Sequence, residues 1–150
     1  MLPITDLNGK DHLKIRADFY IPSSQTTDLG FGLECIGSNH SGGGYFIQIS
    51  PNNCFRGHKF NNNRWVSNTY WEDKSASADT WYTIEIEVNG TNLTIKYYDA
   101  SETLLTSTTF NLTSISSNFS TLADRGYGIV VGYVNGTRYG YCKNIQVWNL

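Results

Sequence analysis

The sequence predicts an all-β protein, a two-sheet antiparallel sandwich or barrel, and three observations carry that expectation. Strand-favouring Val, Ile, Thr, Tyr, Phe and Trp number 54, against 31 for the strong helix formers Ala, Leu, Met, Glu, Lys and Gln. Apolar residues alternate with polar ones in segment after segment, the period-2 signal of a strand with one buried face. Turn residues punctuate these segments at roughly 8–12-residue intervals, with no helical stretch between them to make a parallel crossover. At 150 residues the chain has one domain's length, so residues 1–150 are expected to form a single sandwich domain.

Leu13, Ile15, Ala17, Phe19 and Ile21 alternate with Lys14, Arg16, Asp18 and Tyr20, and Pro22 closes this first strand. Leu29–Cys35 alternates again, with Gly30 and Gly32 on the side away from its apolar residues, which implies a large group packed over them or a bend. Gly42-Gly43-Gly44 leads into Tyr45–Ile49, Pro51-Asn52-Asn53 turns the chain, and residues 54 to 60 form a shorter strand. From Asn61 to Asp79 the periodicity weakens, and this reads as the longest irregular segment. It returns with Tyr82, Ile84, Ile86 and Val88 on one face and Trp81, Thr83, Glu85 and Glu87 on the other. Asn89-Gly90 predicts a two-residue type I′ turn, in which both positions need positive φ, into the return strand of Leu93, Ile95 and Tyr97. Leu104–Leu112 is a further strand, Ser114–Leu122 a loop or short helical turn, and Gly128–Gly132 a buried run. After a second Asn-Gly turn at Asn135-Gly136, Tyr141–Trp148 closes the chain with Lys143, Ile145 and Val147 on one side. The expected total is nine or ten strands.

Charge excludes one class of partner. Eleven basic residues against 13 acidic ones give a net charge of −2, and the basic residues are scattered singly, so no clustered face exists to hold nucleic acid phosphates. No apolar run approaches the roughly 20 residues that span a bilayer, so membrane insertion is not expected. Only 16% of residues are charged, and the surface is rich in Asn, Ser and Thr, which points to an extracellular, cell-surface or virion location. The start, Met1-Leu2-Pro3-Ile4-Thr5-Asp6, lacks the pattern of a secretory signal, so the expectation is a module of a larger surface protein or a virion part. Six sequons, at Asn39, Asn89, Asn92, Asn111, Asn118 and Asn135, hint at the same exterior location. Three cysteines sit in no zinc-ligand spacing. Cys35 and Cys54, on successive strands, are open to a bridge or to remaining free thiols, and Cys142 is read as a buried small hydrophobe.

Three segments resemble the concanavalin A-like lectin and glucanase superfamily, in particular its laminin-G-like branches and the related domain of 3-keto-disaccharide hydrolases. The most specific is Thr80–Val88 with Asn89-Gly90 and Leu93–Asp99, similar to a hairpin that opens on a Trp-Tyr or Trp-His pair. The second is Tyr127–Gly132 with Lys143–Val147, and the third is Leu13–Ile21 with the Gly-rich strand after it. The resemblance spans most of the chain and implies a jelly-roll β-sandwich. Because that superfamily holds lectins, adhesins, hydrolases and spacers, it does not by itself assign a function.

An enzyme of this superfamily's glucanase type needs an E-x-D-x-x-E run that places carboxylates on one strand face. Glu85-Ile86-Glu87 is the nearest approach, but Asn89 and Gly90 stand where the further acid belongs, and a solvated Glu pair is the plainer reading. Glu72-Asp73 lies in the irregular segment, and His12, His40 and His58 have no Ser, Cys or acid partner at a recognisable spacing. No catalytic residue is assigned.

Sugar recognition pairs an aromatic platform with amides and charged groups that bond hydroxyls. The irregular segment supplies both: Asn62, Asn63, Arg64 and Trp65, then Tyr70, Trp71 and Asp73. The Gly37–Gly44 loop, with Asn39 and His40, is the second candidate, whereas Trp81 and Trp148 are assigned to packing. No cofactor is expected. Calcium, which laminin-G-like relatives bind through loop carboxylates, has only Asp28, Asp73, Asp79 and Asp124 as single ligands and stays unproven. The sequence therefore predicts a non-catalytic, lectin-like module that binds a glycan or glycosylated cell surface, such as a viral tail receptor-binding domain or an adhesin module. A sugar-active enzyme is the first alternative, and a structural domain forming homo-oligomers the second.

Overall fold

Alternation along each strand leaves one apolar face, and two such faces closed on each other make the protein's core. The computed structural model describes residues 2–25, 27–35, 44–50, 54–61, 64–73, 76–115, 125–131 and 139–150. Among them are eleven strands: β1 (Leu2–Pro3), β2 (His12–Tyr20), β3 (Leu29–Cys35), β4 (Gly44–Ser50), β5 (Cys54–Asn61), β6 (Arg64–Asp73), β7 (Trp81–Asn89), β8 (Asn92–Tyr98), β9 (Leu104–Asn111), β10 (Arg125–Val131) and β11 (Tyr141–Asn149). They form a six-stranded sheet, β1-β10-β3-β4-β5-β6, and a five-stranded sheet, β11-β2-β7-β8-β9. Every described pairing is antiparallel.

The core is drawn from alternate positions of both sheets. Leu13, Ile15, Ala17 and Phe19 of β2 and Ile84, Ile86 and Val88 of β7 meet Phe31 and Leu33 of β3 and Ile47 and Ile49 of β4. Aromatic rings bridge the layers: Phe19 meets Phe31 edge-on at 5.1 Å, and Phe55 lies 5.1 Å from Tyr82 and 4.5 Å from Tyr97. Two buried polar side chains are held by backbone carbonyls. Arg125, fully buried, donates from Nη1 to the Gly90 carbonyl at 2.6 Å, and the Tyr127 hydroxyl donates to the Lys10 carbonyl at 2.6 Å.

Four sequence expectations are corrected, and the alternative left open for Cys35 and Cys54 is answered. The segment after Asn61 is no irregular stretch: ten of its residues form β6, paired with β5. Val66, Thr69 and the neighbouring aromatics favour a strand, but the register shifts between Gly57 and Lys59, so the apolar residues do not keep strict alternation. The β7–β8 turn comprises Gly90-Thr91, closed by the Asn89–Asn92 pair, and only Gly90 has positive φ (60°), the signature of a type II′ turn. Cys35 and Cys54 stand at opposite ends of the ladder, Cys35 past the Glu34–Gly44 pair and Cys54 at the Ser50 pair; seven residue steps separate them by roughly 23 Å, far beyond disulfide reach. Along β11 a bulge between Lys143 and Gln146 puts Lys143 opposite Asp18 on the outer face and Val147 opposite core-facing Ile15, so the two do not share a side. The Glu85–Glu87 face is less exposed than expected, with Glu85 buried.

Cys142, expected to be buried, is half-buried against the core, and burial, with a smaller contribution from the Asp18 charge, pushes its thiol up to about 11. The Asn135-Gly136 turn and the sequons at Asn39, Asn118 and Asn135 lie outside the described residues, while Asn89, Asn92 and Asn111 stand exposed at one end of the five-stranded sheet.

Burial pushes the Tyr127 hydroxyl up to about 12, the largest cause being loss of solvent. Its folded value exceeds the unfolded one, so the stability tied to the neutral phenol is complete below about pH 10 and lost as pH rises through 12. Tyr127→Phe is expected to lower stability by roughly 1 kcal/mol at neutral pH through the lost hydrogen bond. Between pH 10 and 12 its denaturant midpoint should fall less steeply than the parent's. Equal slopes in the two proteins would contradict this account.

Candidate functional site

On β4, Tyr45, Ile47 and Ile49 face the core, so Phe46, Gln48 and Ser50 belong to the outer face of the six-stranded sheet. Gln48 is nevertheless fully buried, and neither its amide nitrogen nor its amide oxygen has a hydrogen-bond partner. Its register neighbours are Gly30 on β3 and Arg56 on β5, and Glu72 on β6 is the Cα partner of Arg56. The Arg56 guanidinium pairs through Nη2 with the Asp28 carboxylate, while its Nε is buried with no partner. A row of polar groups therefore crosses the sheet with donors and an acceptor left open.

Backbone packing fixes this row. A Cβ on Gly30 would stand 2.0 Å from the Ile47 carbonyl oxygen and 2.9 Å from the Gln48 Cα, so only glycine lets β3 approach β4 at that point. Gly30, one of the two glycines noted in this strand, thus serves close strand approach. From the other sheet, the Tyr97 hydroxyl lies 3.2 Å from the Gln48 carbonyl and 3.3 Å from the Arg56 carbonyl, holding β4 and β5 together beneath the two side chains.

The sequence-predicted site residues do not gather in a loop. Arg64, Trp65, Tyr70, Trp71 and Asp73 are spread along β6, the edge strand, with Trp65 the Cα partner of Phe60, Trp71 of Gly57 and Asp73 of Phe55. The Trp71–Asp73 end adjoins the Gln48–Arg56 row, whereas Trp65 sits toward the other end of β5. Asn39, His40, Asn62 and Asn63 lie outside the described residues. Gln48 and Arg56 were not singled out by sequence because an outward polar residue on a strand ordinarily meets water, and their burial is a tertiary property.

Of the carboxylates weighed as calcium ligands, Asp28 is paired with Arg56, and Asp79 accepts from the Ser23 amide at 2.9 Å and the Tyr20 hydroxyl at 3.1 Å. Those hydrogen bonds, the Ser23 one first, hold the Asp79 carboxyl below its usual range. Asp124 lies outside the described residues.

Of the carboxylates weighed as catalytic, Glu72 and Asp73 stand on β6 beside the Gln48–Arg56 row, and Glu85 and Glu87 lie on the opposite side of the molecule. Glu85 and Glu87 share the outer face of the five-stranded sheet, and Glu85 is held between Lys96 Nζ at 3.2 Å and Arg16 Nη1 at 3.8 Å. Arg16 also pairs with Glu102 and covers the Tyr98 ring at 5.1 Å. The Glu85 hydrogen bond is the main reason the Lys96 ammonium is raised above its ordinary value. Glu85 is thus a strut in a charge ladder, clamped rather than presented to a substrate.

No protein-family model matches the sequence, and no curated protein matches it. Solved structures do match in fold. Chicken galectin 2 superposes with a TM-score of 0.52 at 10% identity, over 91% of this chain and 89% of that one. A family 7 alginate lyase bound to its product gives 0.64 at 9% identity over 95% of this chain, which spans 64% of the lyase, just under two thirds of its length. The carbohydrate-binding module CBM66 from Bacillus subtilis gives 0.56 at 11% identity, over 92% and 75%. The fold is a concanavalin A-like jelly-roll β-sandwich, as the sequence resemblance implied, and its neighbours include both carbohydrate-binding modules and carbohydrate-active enzymes.

Replacing Glu85 with Ala removes the anion between two cations that are themselves partly solvated. The expected loss is about 1–2 kcal/mol in chemical denaturation, less than for a fully buried pair. An unchanged or increased stability would mean that the ladder is not holding β2, β7 and β8 together.

Proposed function

We propose that this domain is a non-catalytic carbohydrate-binding module whose ligand meets the outer face of the six-stranded sheet at Gln48 and Arg56. The observation that carries this reading is the Gln48 amide, fully buried with both polar atoms unpaired next to an unpaired guanidinium nitrogen. Leaving such a group unsatisfied costs roughly 1–3 kcal/mol, and a fold retains that cost where a ligand repays it. A primary amide offers two donors and an acceptor in one plane, which suits adjacent sugar hydroxyls, and Arg56 adds a charge-assisted donor. The neutral, Asn- and Thr-rich surface supports a place outside the cell, on a cell surface or a virion, where the glycan would belong to a host or neighbouring cell. The likeness to galectin 2 and CBM66 supports the binding class, and the likeness to alginate lyases makes an enzyme the reading to test against.

The test is binding of the purified domain to a broad glycan array, with soluble alginate and xylan alongside, for the parent and for Gln48→Met. Methionine fills a similar volume without polar atoms. The variant is expected to melt higher by roughly 2–6 °C and to lose glycan binding at least tenfold. A folded Gln48→Met protein that binds like the parent would overturn the site. Absence of binding by the parent would overturn the function. Release of unsaturated uronate products from alginate would replace the module reading with a lyase.

A further inference from the structure

On the opposite side of the sandwich, register builds a second aromatic and polar array. Tyr141, Tyr20 and Trp81 form one rank across β11, β2 and β7, and Lys143, Asp18 and Thr83 form the next. The rings are contiguous, Tyr20 lying 5.3 Å from Trp81 and 5.9 Å from Tyr141. Between the two ranks and the β8–β9 turn opens a cleft of about 160 Å³, lined by Asp18, Trp81, Thr83, Ala100, Glu102 and Lys143. At about 30 Å³ per liquid water, that is the space of roughly five waters, enough for one sugar ring and too small for a chain of them.

The walls of this cleft are rigid. Asp99 Oδ1 accepts from the amides of Ser101 at 2.8 Å and Thr103 at 2.9 Å, fixing the turn that carries Ala100 and Glu102. Among the described residues, the non-glycine positions with positive φ are Asp79, Glu102 and Asn144, and all three serve this one region. Glu102 lines the cleft, Asn144 donates to Asp18 Oδ2 at 2.7 Å, and Asp79 receives the hydroxyl of Tyr20, the ring beside Trp81. Backbone held in a sparsely populated conformation persists where the surroundings over-determine it, and it clusters at binding sites.

The chemistry left open selects the ligand. Asp18 already accepts from Thr83 Oγ1 at 2.7 Å and from Asn144, and Glu102 is paired with Arg16. Lys143 places its ammonium 4.0 Å from the centroid of the Trp81 ring, and no hydrogen bond or ion pair to Lys143 is found among the described residues. The cleft therefore offers an indole face, an ammonium with free donors, and carboxylates with spare lone pairs, of which Glu102 is already ion-paired with Arg16 and Asp18 is hydrogen-bonded by neutral donors. We propose that it is a second saccharide site, taking a single neutral pyranose ring with its C–H face against Trp81 and its hydroxyls on Lys143 and Asp18, in the space that the Lys143 stem vacates by swinging aside. The two sites lie on opposite faces of the sandwich, about one sheet-to-sheet spacing of 10 Å or more apart, so they act separately and make one domain able to join two glycan chains.

The experiment is NMR of the full chain during titration with the methyl glycosides of glucose, galactose, mannose and xylose at millimolar concentrations. Indole N–H signals are assigned by loss of one signal in each Trp variant. At least one probe is expected to shift the Trp81 signal saturably, and Lys143→Met is expected to weaken that response at least fivefold while leaving the fold, read from the remaining signals, unchanged. Gln48→Met should leave the Trp81 response intact, so failure of the six-stranded face and failure of this cleft are told apart. A Trp81 signal that none of the four probes moves, or one that moves identically in Lys143→Met, would overturn the proposal.

Discussion

One tyrosine ties the two layers together beneath the Gln48–Arg56 row. Tyr97 is fully buried on the core face of β8, and its hydroxyl is shared by the carbonyls of Gln48 and Arg56 on the opposite sheet. The ring beneath it stacks on Phe55, which in turn meets Tyr82 edge-on, so the same residue is cemented by apolar area as well as by its polar tip. Because Gln48 and Arg56 are direct register partners, holding their backbones fixes both side chains on the outer surface. The position of the Gln48–Arg56 row is therefore set from inside the core, on strands, which hold a geometry more tightly than a loop would.

The sequence disclosed this architecture to the extent that burial was periodic. β2, β7 and β8 alternate without a break, and their spans, their pairing and their core faces follow directly from Leu13 to Phe19, Ile84 to Val88 and Leu93 to Tyr97. β6 escaped because the register shift opposite it interrupts the alternation, so that a strand of ten residues reads as an irregular segment rich in Asn and aromatics. The turn after β7 was placed one residue early for a related reason: Asn89-Gly90 matches a type I′ pair, yet Asn89 is consumed as the last ladder residue and Gly90 alone supplies the positive φ. The candidate site was legible only at its margin. Trp71 and Asp73 come from the stretch that sequence chemistry selected, and they adjoin the Gln48–Arg56 row. Gln48 itself carries no local signal, since burial of an outward-facing amide depends on what the rest of the chain does around it.

The two outer faces solve the problem of polar groups in opposite ways. On the five-stranded face Arg16, Glu85, Lys96 and Glu102 satisfy one another, and Asp18 is bonded on both oxygens. These groups are partly solvated, so their mutual contacts add modestly to stability and mainly fix the register of β2, β7 and β8. On the six-stranded face the fully buried Gln48 amide and the Arg56 Nε have no partner, although the Arg56 guanidinium pairs through Nη2 with Asp28. A satisfied ladder at the surface and an unsatisfied amide beneath it are the reverse of what stability alone would select.

That inversion separates structure from function without reference to any other protein. A buried amide with open valences on a floor that admits only glycine is costly unless something completes it, whereas Glu85, the residue that looked most like a catalytic acid, is already complete. Lys143 lies between these extremes, a cation whose contact is an aromatic face. Its ring contact is worth about 0.5–1 kcal/mol at an exposed site, little enough for the ligand proposed above to displace. On the reading proposed above, polar atoms left open on the outer faces, rather than acidic residues as such, mark where a ligand is met.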